Sequence, residues 1–506
     1  MDTMRGSRRR FVTGLAAAAG TLVLGFDPVR RSWVTSASAA TLSIPGLTPG
    51  TLFVDSATLT AFADDFGHIV HNMPIAVLKP ASVQDVVVTV QFCRRHGIQV
   101  AARGQGHSTA GQSQVLAGLV IDSATLNKIE EIGPGFAVLQ AGVTWLEFLA
   151  QSIPLGQKPA VITGFTGLSV GGTISMGGIG AASFRHGAIV DNVLELEVVT
   201  GDGVLRTCSP TVDPFLFAAV VGGVGQFAII VRAKVALVEV LPQARSYVIN
   251  YIDFPTFFAD MNTLVSANKV DGVFALIAPN PAAPFGGPWV YQINAVKNFT
   301  AGSPPNDADI LTGLHIPGPP FGLTTTDSTT FAYDTQVDGL FAFLATPPPN
   351  GPGLGGLPHV WGDVFLPASQ TEAFVPAALA AISPAELGIV LAPGLATGFI
   401  LLFPVKNMFP KAIAFRLPNE KNVFLFDVLT SGVLPPDPTY AATQIAKARA
   451  RFVAARAVGG TLYPIGSTPM SKEDWEQQYG LLYPVFVAAK EVFDPAHILT
   501  PGPGIF

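Results

Sequence analysis

The sequence predicts an α+β chain folded as two lobes, and three observations carry that reading. At 506 residues with 49% hydrophobic content, the chain is long enough to bury two sizeable cores. Glycine-rich motifs set between apolar, strand-like segments occupy residues 40–240. From 241 to 460 those motifs stop, and strands alternate with long loops punctuated by runs such as Thr346-Pro347-Pro348-Pro349-Asn350-Gly351. Loops on a scaffold are where recognition concentrates, so this second lobe reads as the substrate-binding one.

Taken in order, the elements begin with a targeting segment. Ser7-Arg8-Arg9-Arg10-Phe11-Val12 matches a twin-arginine export motif, followed by an apolar run from Gly14 to Phe26 and a small-residue site at Ala37-Ser38-Ala39. The run is too short to span a bilayer. Residues 1–39 are therefore expected to be a cleaved signal that engages the twin-arginine machinery and sends the chain to the periplasm or the exterior. Phe62-Ala63-Asp64-Asp65-Phe66-Gly67 then leads to a strand at 75–80. Val83, Val86, Val87, Val90 and Cys93 recur at helical spacing, and Gly97 ends that helix. With strands at 97–101 and 118–122, this makes a βαβ unit. Gly142 to Leu149 opens a second helix, and the glycine-rich block from Gly171 starts a subdomain ending near Val240.

Other features exclude function classes. A net charge of −6 argues against nucleic acid, which asks for a basic face. Mean hydropathy is positive, yet the one long uncharged stretch, Leu387 to Val405, holds Pro393-Gly394 and Pro404. That punctuation predicts two buried strands around a turn rather than a membrane span. Cys93 and Cys208 allow at most one disulfide, and no metal site is expected.

The chemistry concentrates in Ala101 to Gln112, where His107 sits in a loop with glycines at 104, 106 and 111. Glycine permits positive φ and close approach of the main chain. Successive free N–H groups in such a loop form an anion-binding concavity suited to a pyrophosphate. The motif therefore points to phosphate cradling beside a nucleophilic imidazole.

Further blocks follow in order: Leu168 to Gly180, Phe184-Arg185-His186-Gly187, Asp191 to Gly203, Gly222 to Ile230, and Phe493 to Gly502 near the end. This series resembles the cytokinin dehydrogenases and, more broadly, the vanillyl-alcohol-oxidase superfamily of FAD enzymes, over nearly the whole mature chain. The resemblance implies the two-lobed FAD-binding fold of that type, with residues 461–506 returning to the FAD lobe. It also implies that His107 is bonded to the flavin 8α-methyl group. Ala102, Gly104, Gln105, Gly106, Ser108 and Gln112 occupy flavin-contacting positions around it, as do Ser169, Ser175, Ile179 and Ile230 in the later blocks. Thr500 matches a small hydroxyl position, whereas Pro503 replaces a glutamine that contacts the flavin. Some relatives attach flavin through a second residue, a cysteine in a glycine-rich loop; Cys208 follows a strand and reads as a small buried side chain.

Two departures concern catalysis. The aspartate by which such relatives accept a proton from the substrate amine is Gly164 here, and a glutamate at the pocket entrance aligns near Phe274. Both losses point away from an adenine-type amine. Tyr251, His359, Asp363 and Tyr463 lie in segments that can line the pocket. The ordinary reading of each is structural: the tyrosines place their hydroxyls at a surface, His359 is solvated, and Asp363 pins a loop. Arg185 and His186 read as support for the flavin loop. The expected function is an FAD oxidoreductase that takes a hydride from a C–H next to an amine or hydroxyl of a small-molecule donor. Oxygen or another acceptor then removes the electrons. The alternatives are an alcohol or sugar oxidase forming hydrogen peroxide, and a flavoprotein without catalysis.

Overall fold

Ser82 and Gly97 bracket the first long helix, α1 (Val83–His96). The Ser82 hydroxyl accepts from the Asp85 N–H, the Asp85 carboxylate accepts from the Ser82 N–H at 3.0 Å, and Gly97 closes the helix at φ 61°. The expected strand–helix–strand crossover runs from β2 (Ala76–Leu78) through α1 to β3 (Val100–Arg103). Its two strands are not neighbours. β4 (Leu119–Asp122) lies between them, parallel to both, and β1 (Leu52–Phe53) completes a four-stranded sheet on the far side of β2. These are features of a computed structural model that describes residues 44–281, 286–319, 321–345, 354–392, 395–408 and 412–506, and the backbone of two short paired strands, Gly25–Asp27 and Ser32–Val34. The twin-arginine motif, the Ala37-Ser38-Ala39 site, Pro393-Gly394 and the Thr346-to-Gly351 run lie outside the described residues.

A second sheet takes β5 (Ile129–Gly133), β6 (Phe136–Gln140), β7 (Gln157–Pro159), β8 (Val193–Thr200), β9 (Leu205–Cys208) and β10 (Ala228–Glu239), in the order β9-β8-β10-β6-β5, with β7 also paired to β10. Helix α2 (Trp145–Ser152) starts at a Thr144–Glu147 capping box, three residues into the segment where the sequence opens it. Helix α3 (Val170–Met176) carries the glycine-rich block.

The second lobe is built on an eight-stranded antiparallel sheet. Its strands are β11 (Gln243–Tyr251), β12 (Gly272–Pro279), β13 (Trp289–Phe299), β14 (Gly322–Thr329), β15 (His359–Pro367), β16 (Phe399–Lys406), β17 (Asn422–Ser431) and β18 (Thr461–Leu462), ordered β14-β11-β13-β12-β16-β17-β15-β18. Helices α4 (Phe254–Ala267), α5 (Ala368–Ala380) and α6 (Tyr440–Ala457) pack on it. At Gly362 the helix comes close: a Cβ there would meet Ala448 of α6 at 3.0 Å. Side chains alternate along a strand, so Trp361 and Asp363 point to the other face, toward the first lobe.

Leu387 to Val405 differs from its expectation in detail. Val390–Ala392 pairs with Leu395–Ala396 as a short hairpin whose Val390 is exposed, and the buried strand is the third, β16, in the middle of the large sheet. No helix among the described residues is long and apolar enough to cross a membrane. Cys93 and Cys208 are both buried free thiols.

The C-terminal segment closes the edge of the first sheet. Val100 donates its N–H to Ile498 O at 2.7 Å, and Thr500 donates back to Val100 O at 2.8 Å. What anchors this return is a buried ion pair on helix α7 (Tyr483–Phe493): Lys490 Nζ lies 2.8 Å from Asp494 Oδ2, with the two side chains 2% and 0% exposed. Lys490 also donates to Gln226 O and Leu499 O, and Asp494 accepts from the Ile498 and Leu499 N–H groups. Removing one partner of such a pair strands a buried charge, which costs about 3–5 kcal/mol. Lys490→Met is therefore expected to lower stability by about that amount in urea titrations, and Lys490→Met with Asp494→Asn to recover part of it. A single variant as stable as the wild type would remove the ion pair as the anchor.

Candidate functional site

The site is assembled around a buried carboxylate. Asp65, 3% exposed, accepts from the Gly111 N–H at 2.7 Å, the Gly67 N–H at 3.1 Å and the Ser108 hydroxyl at 3.0 Å. Phe66 and Gly67 donate in turn to Gly106 O and Ser108 O. Segment 65–67 thus lies flush along the loop. Gly67 is required there, since a Cβ would sit 2.0 Å from Thr109 O. The Gln112 amide straps the other side, donating to Gly466 O at 2.8 Å while accepting from the Ala110 N–H at 2.9 Å.

With its carbonyls and side chains so engaged, the loop leaves the N–H groups of Gln105, Gly106, His107 and Ser108 without an acceptor among the described residues. A row of unpaired N–H groups along a cavity wall marks a place for an anionic ligand. The glycines make the concavity possible: a Cβ on Gly104 would meet Ser169 Oγ at 2.1 Å, and Gly106 holds φ 68° against the Arg103 guanidinium. Ser169, at the N-cap of α3, makes no capping bond and keeps its hydroxyl free, whereas Ser108 and Ser175 hydroxyls are already bonded, the latter to Gly171 O at 2.8 Å.

His107 is walled by aromatic rings. Phe66 stacks on it at 4.0 Å and 15°, with Phe165 at 5.1 Å, Trp361 at 5.6 Å and Phe341 at 6.2 Å. Desolvation by these rings pushes its pKa down to about 4. The imidazole is then neutral at physiological pH, with a lone pair available for a bond to carbon.

Loop, α3 block and the inner face of the large sheet enclose one cavity of about 650 Å³. His107 and every other position that the resemblance assigns to the cofactor, from Ala102 to Ile230, line it, as does Thr500; Pro503 does not. The residues fit a dinucleotide with a pyrophosphate: N–H donors unpaired among the described residues, glycines where a Cβ would fill the cradle, and an imidazole at the wall.

Of the polar candidates, His359 and Tyr463 line the cavity, and Tyr251 and Asp363 do not. Tyr251 is fully buried elsewhere, donating to Asp260 Oδ2 at 2.8 Å, so its hydroxyl is not at a surface. Tyr463 is buried too, its oxygen accepting from the Gly178 N–H at 3.1 Å. His359 is not solvated: its ring stacks on Phe66 at 4.2 Å, its Nδ1 pairs with Phe66 O, and burial pushes its pKa down to about 4. Asp363 pins no loop; it is a fully buried strand residue opposite Asp427. Arg185 bonds Asn268 and pairs with Asp271, away from the cavity. Cys208 lies in β9, outside the cavity. Gly164 and Phe274 both line it without a titratable group.

Sequence reasoning missed Asp65, Phe66, Trp361 and Asp427. The last had a legible signal, a single charge in the apolar strand Val423-Phe424-Leu425-Phe426-Asp427-Val428-Leu429.

Residues 74–209 match the FAD binding domain family, and residues 350–506 match the family described as cytokinin dehydrogenase 1, FAD and cytokinin binding. An uncharacterized oxidoreductase, ORF5 in the fasciation locus of Rhodococcoides fascians, is 32% identical over 90% of this chain and 98% of its own. Cytokinin dehydrogenase 2 of Arabidopsis thaliana is 30% identical over 93% and 96%, and cytokinin dehydrogenase 9 of Oryza sativa subsp. japonica 29% over 88% and 89%.

Gly104→Ala is expected to lower the flavin absorbance per mole of purified protein about tenfold or more, an effect of at least about 1.4 kcal/mol on binding. Adding Ser169→Gly, which removes the clashing hydroxyl, is expected to restore part of it. Full flavin content in Gly104→Ala would contradict the cradle.

Proposed function

The chain belongs to the family of FAD-dependent oxidoreductases that includes the cytokinin dehydrogenases, and from that membership we propose that it oxidises a largely apolar amine or alcohol with FAD held covalently by His107. The observation that carries the attachment is the His107 imidazole, enclosed by aromatic rings at the cavity wall, in a loop whose N–H groups lack acceptors among the described residues. FAD, when bound, supplies the acceptor for a hydride from the donor. The residues of the chain do the rest. Gln105 to Ser108 hold phosphate through their N–H groups. Phe66, Phe165, Phe341 and Trp361 exclude water from the attachment point.

The substrate class follows from the opposite wall. Phe274, Leu276, Phe399, Leu401, Phe403 and Leu425 face the cavity and bury an apolar body. A sugar would leave its hydroxyls unpaired against them, which favours amines and simple alcohols over sugars. The missing carboxylates at Gly164 and Phe274 argue against an adenine-type amine as the preferred donor, and Gly164 favours the alcohol arm. Export fits the same reading: the arginine pair at Arg8-Arg9 suits a route for folded, loaded proteins, and a bonded flavin is not lost outside the cytoplasm.

Two outcomes test this reading. Denatured wild type is expected to retain yellow, fluorescent flavin, and His107→Ala to release all of its flavin into acid supernatant; equal release from both would refute the attachment. Anaerobic mixing with paired aromatic amines and alcohols is expected to bleach the flavin with at least one class, whereas bleaching by dithionite alone would favour a flavoprotein without catalysis. A Cβ at Gly164 would meet nothing within 4 Å, so the position has room for a side chain. Gly164→Asp is accordingly expected to fold normally and to speed oxidation of adenine-type amines by about 100-fold, the scale of a well-placed base, measured as the reduction rate of the flavin. No gain would mean that the lost carboxylate is not what limits those substrates.

A further inference from the structure

The cavity-lining face of the large sheet carries one carboxyl, among the described residues, that the reading above does not use. Along β17, Leu425, Asp427, Leu429 and Ser431 line the cavity at alternate positions, and Asp427 is the acidic one. Strand pairing sets it in a straight row of Cα partners across five strands: Gln292, Leu276, Leu401, Asp427 and Asp363. Asp427 is 5% exposed, and its Oδ1 is buried without a hydrogen-bond partner among the described residues. Asp427 lines the cavity, and a carboxyl there whose Oδ1 has no donor among the described residues has capacity left for a proton.

Asp363, its Cα partner on β15, lies beside it, fully buried, and neither of its carboxylate oxygens has a hydrogen-bond partner among the described residues. Two adjoining carboxyls in an apolar setting do not both ionise, so the pair retains a proton well above the ordinary carboxylate range, burial being the largest cause for each. The charged and titratable groups that act on the pair are the Arg451 guanidinium, on the α6 side of the sheet beside Gly362, and the Tyr463 phenol beside β18. Arg451 offsets the remaining negative charge, and Tyr463 stays neutral because burial pushes its pKa up.

We propose that Asp427 is the catalytic residue that accepts the N–H or O–H proton of the electron donor, with Asp363 as the positioning residue beside it, in place of the carboxylate absent at Gly164. The inference rests on the amine-or-alcohol reading above. In the step, the donor C–H bond breaks and its electron pair leaves as a hydride to oxidised FAD, which is reduced by two electrons. The N–H or O–H bond breaks at the same centre, its electron pair becoming the second bond of C=N or C=O. The pair enters the step with one proton and one negative charge: the donor's proton bonds to an Asp427 carboxylate oxygen as the proton already held shifts onto Asp363, leaving the pair neutral, and the donor is oxidised by two electrons.

The test uses flavin-loaded full-length protein as wild type, Asp427→Asn and Asp363→Asn, the isosteric changes least able to disturb folding. N-methylbenzylamine and benzyl alcohol serve as donors for anaerobic reduction. Asp427→Asn is expected to keep its flavin and to be reduced at least about 100-fold more slowly at neutral pH. Asp363→Asn is expected to retain more activity and to move the pH midpoint of the rate down by about one unit or more, because the neighbouring carboxyl no longer raises the Asp427 pKa.

A second readout needs no donor. Because the folded pair binds protons more tightly than the unfolded chain, its contribution to stability is complete below the unfolded carboxyl pKa of about 4 and is lost progressively as pH rises into the neutral range. The thermal midpoint of the wild type relative to Asp427→Asn should therefore fall across that window. Equal reduction rates in wild type and Asp427→Asn, or parallel midpoints across the window, would overturn the inference. If neither compound reduces the wild type while dithionite does, the amine-or-alcohol reading fails first and takes the inference with it.

Discussion

The stack of Phe66 on His107, held by the Asp65 carboxylate, is the contact on which the site depends. Offset aromatic stacking is worth about 0.5–1.5 kcal/mol beyond area burial, which alone would not order a loop. Asp65 adds three hydrogen bonds to a buried anion, each of the charge-assisted kind. Together they freeze the loop with its carbonyls turned inward and its N–H groups left over. The same packing holds the His107 pKa down, so one constraint sets both the cradle and the state of the imidazole beside it.

That constraint also joins the lobes. The segment 64–68 touches the glycine loop on one side and the second lobe on the other, where His359 donates its N–H to Gly67 O at 2.9 Å and the His68 ring bonds Gly355 O at 2.6 Å. Thr109 and Gln112 reach to residues 464–466 from the loop itself. The cavity therefore has a floor and a roof that share hydrogen bonds, and the apolar sheet face is brought over the imidazole without a long linker. Lys490 and Asp494 do the corresponding work for the C-terminal return, which edges β3 just before the loop begins.

Much of this was legible beforehand because local physics dominates it. The capping box and αL glycine set α1 at the residues read from spacing, and glycines 104 and 106 are required by contacts that only close approach explains. What stayed hidden depends on distant pairing. Nothing local shows that β4 slots between β2 and β3, or that Asp363 and Asp427, 64 positions apart, become cross-strand partners. Tyr251 misled for the same reason: its polar oxygen found Asp260 on a neighbouring helix rather than the cavity. Phe66 and Trp361 read as ordinary core aromatics until the fold put both against His107.

The central claim is that this neutral imidazole carries the cofactor on a carbon–nitrogen bond. The most direct measurement is the mass of the tryptic fragment Gly104–Lys128 from protein expressed with ample riboflavin. The account predicts that the fragment carries the added mass of one FAD less two hydrogens, with fragmentation locating it on His107. A fragment of unmodified mass from protein that is visibly yellow before digestion would contradict it.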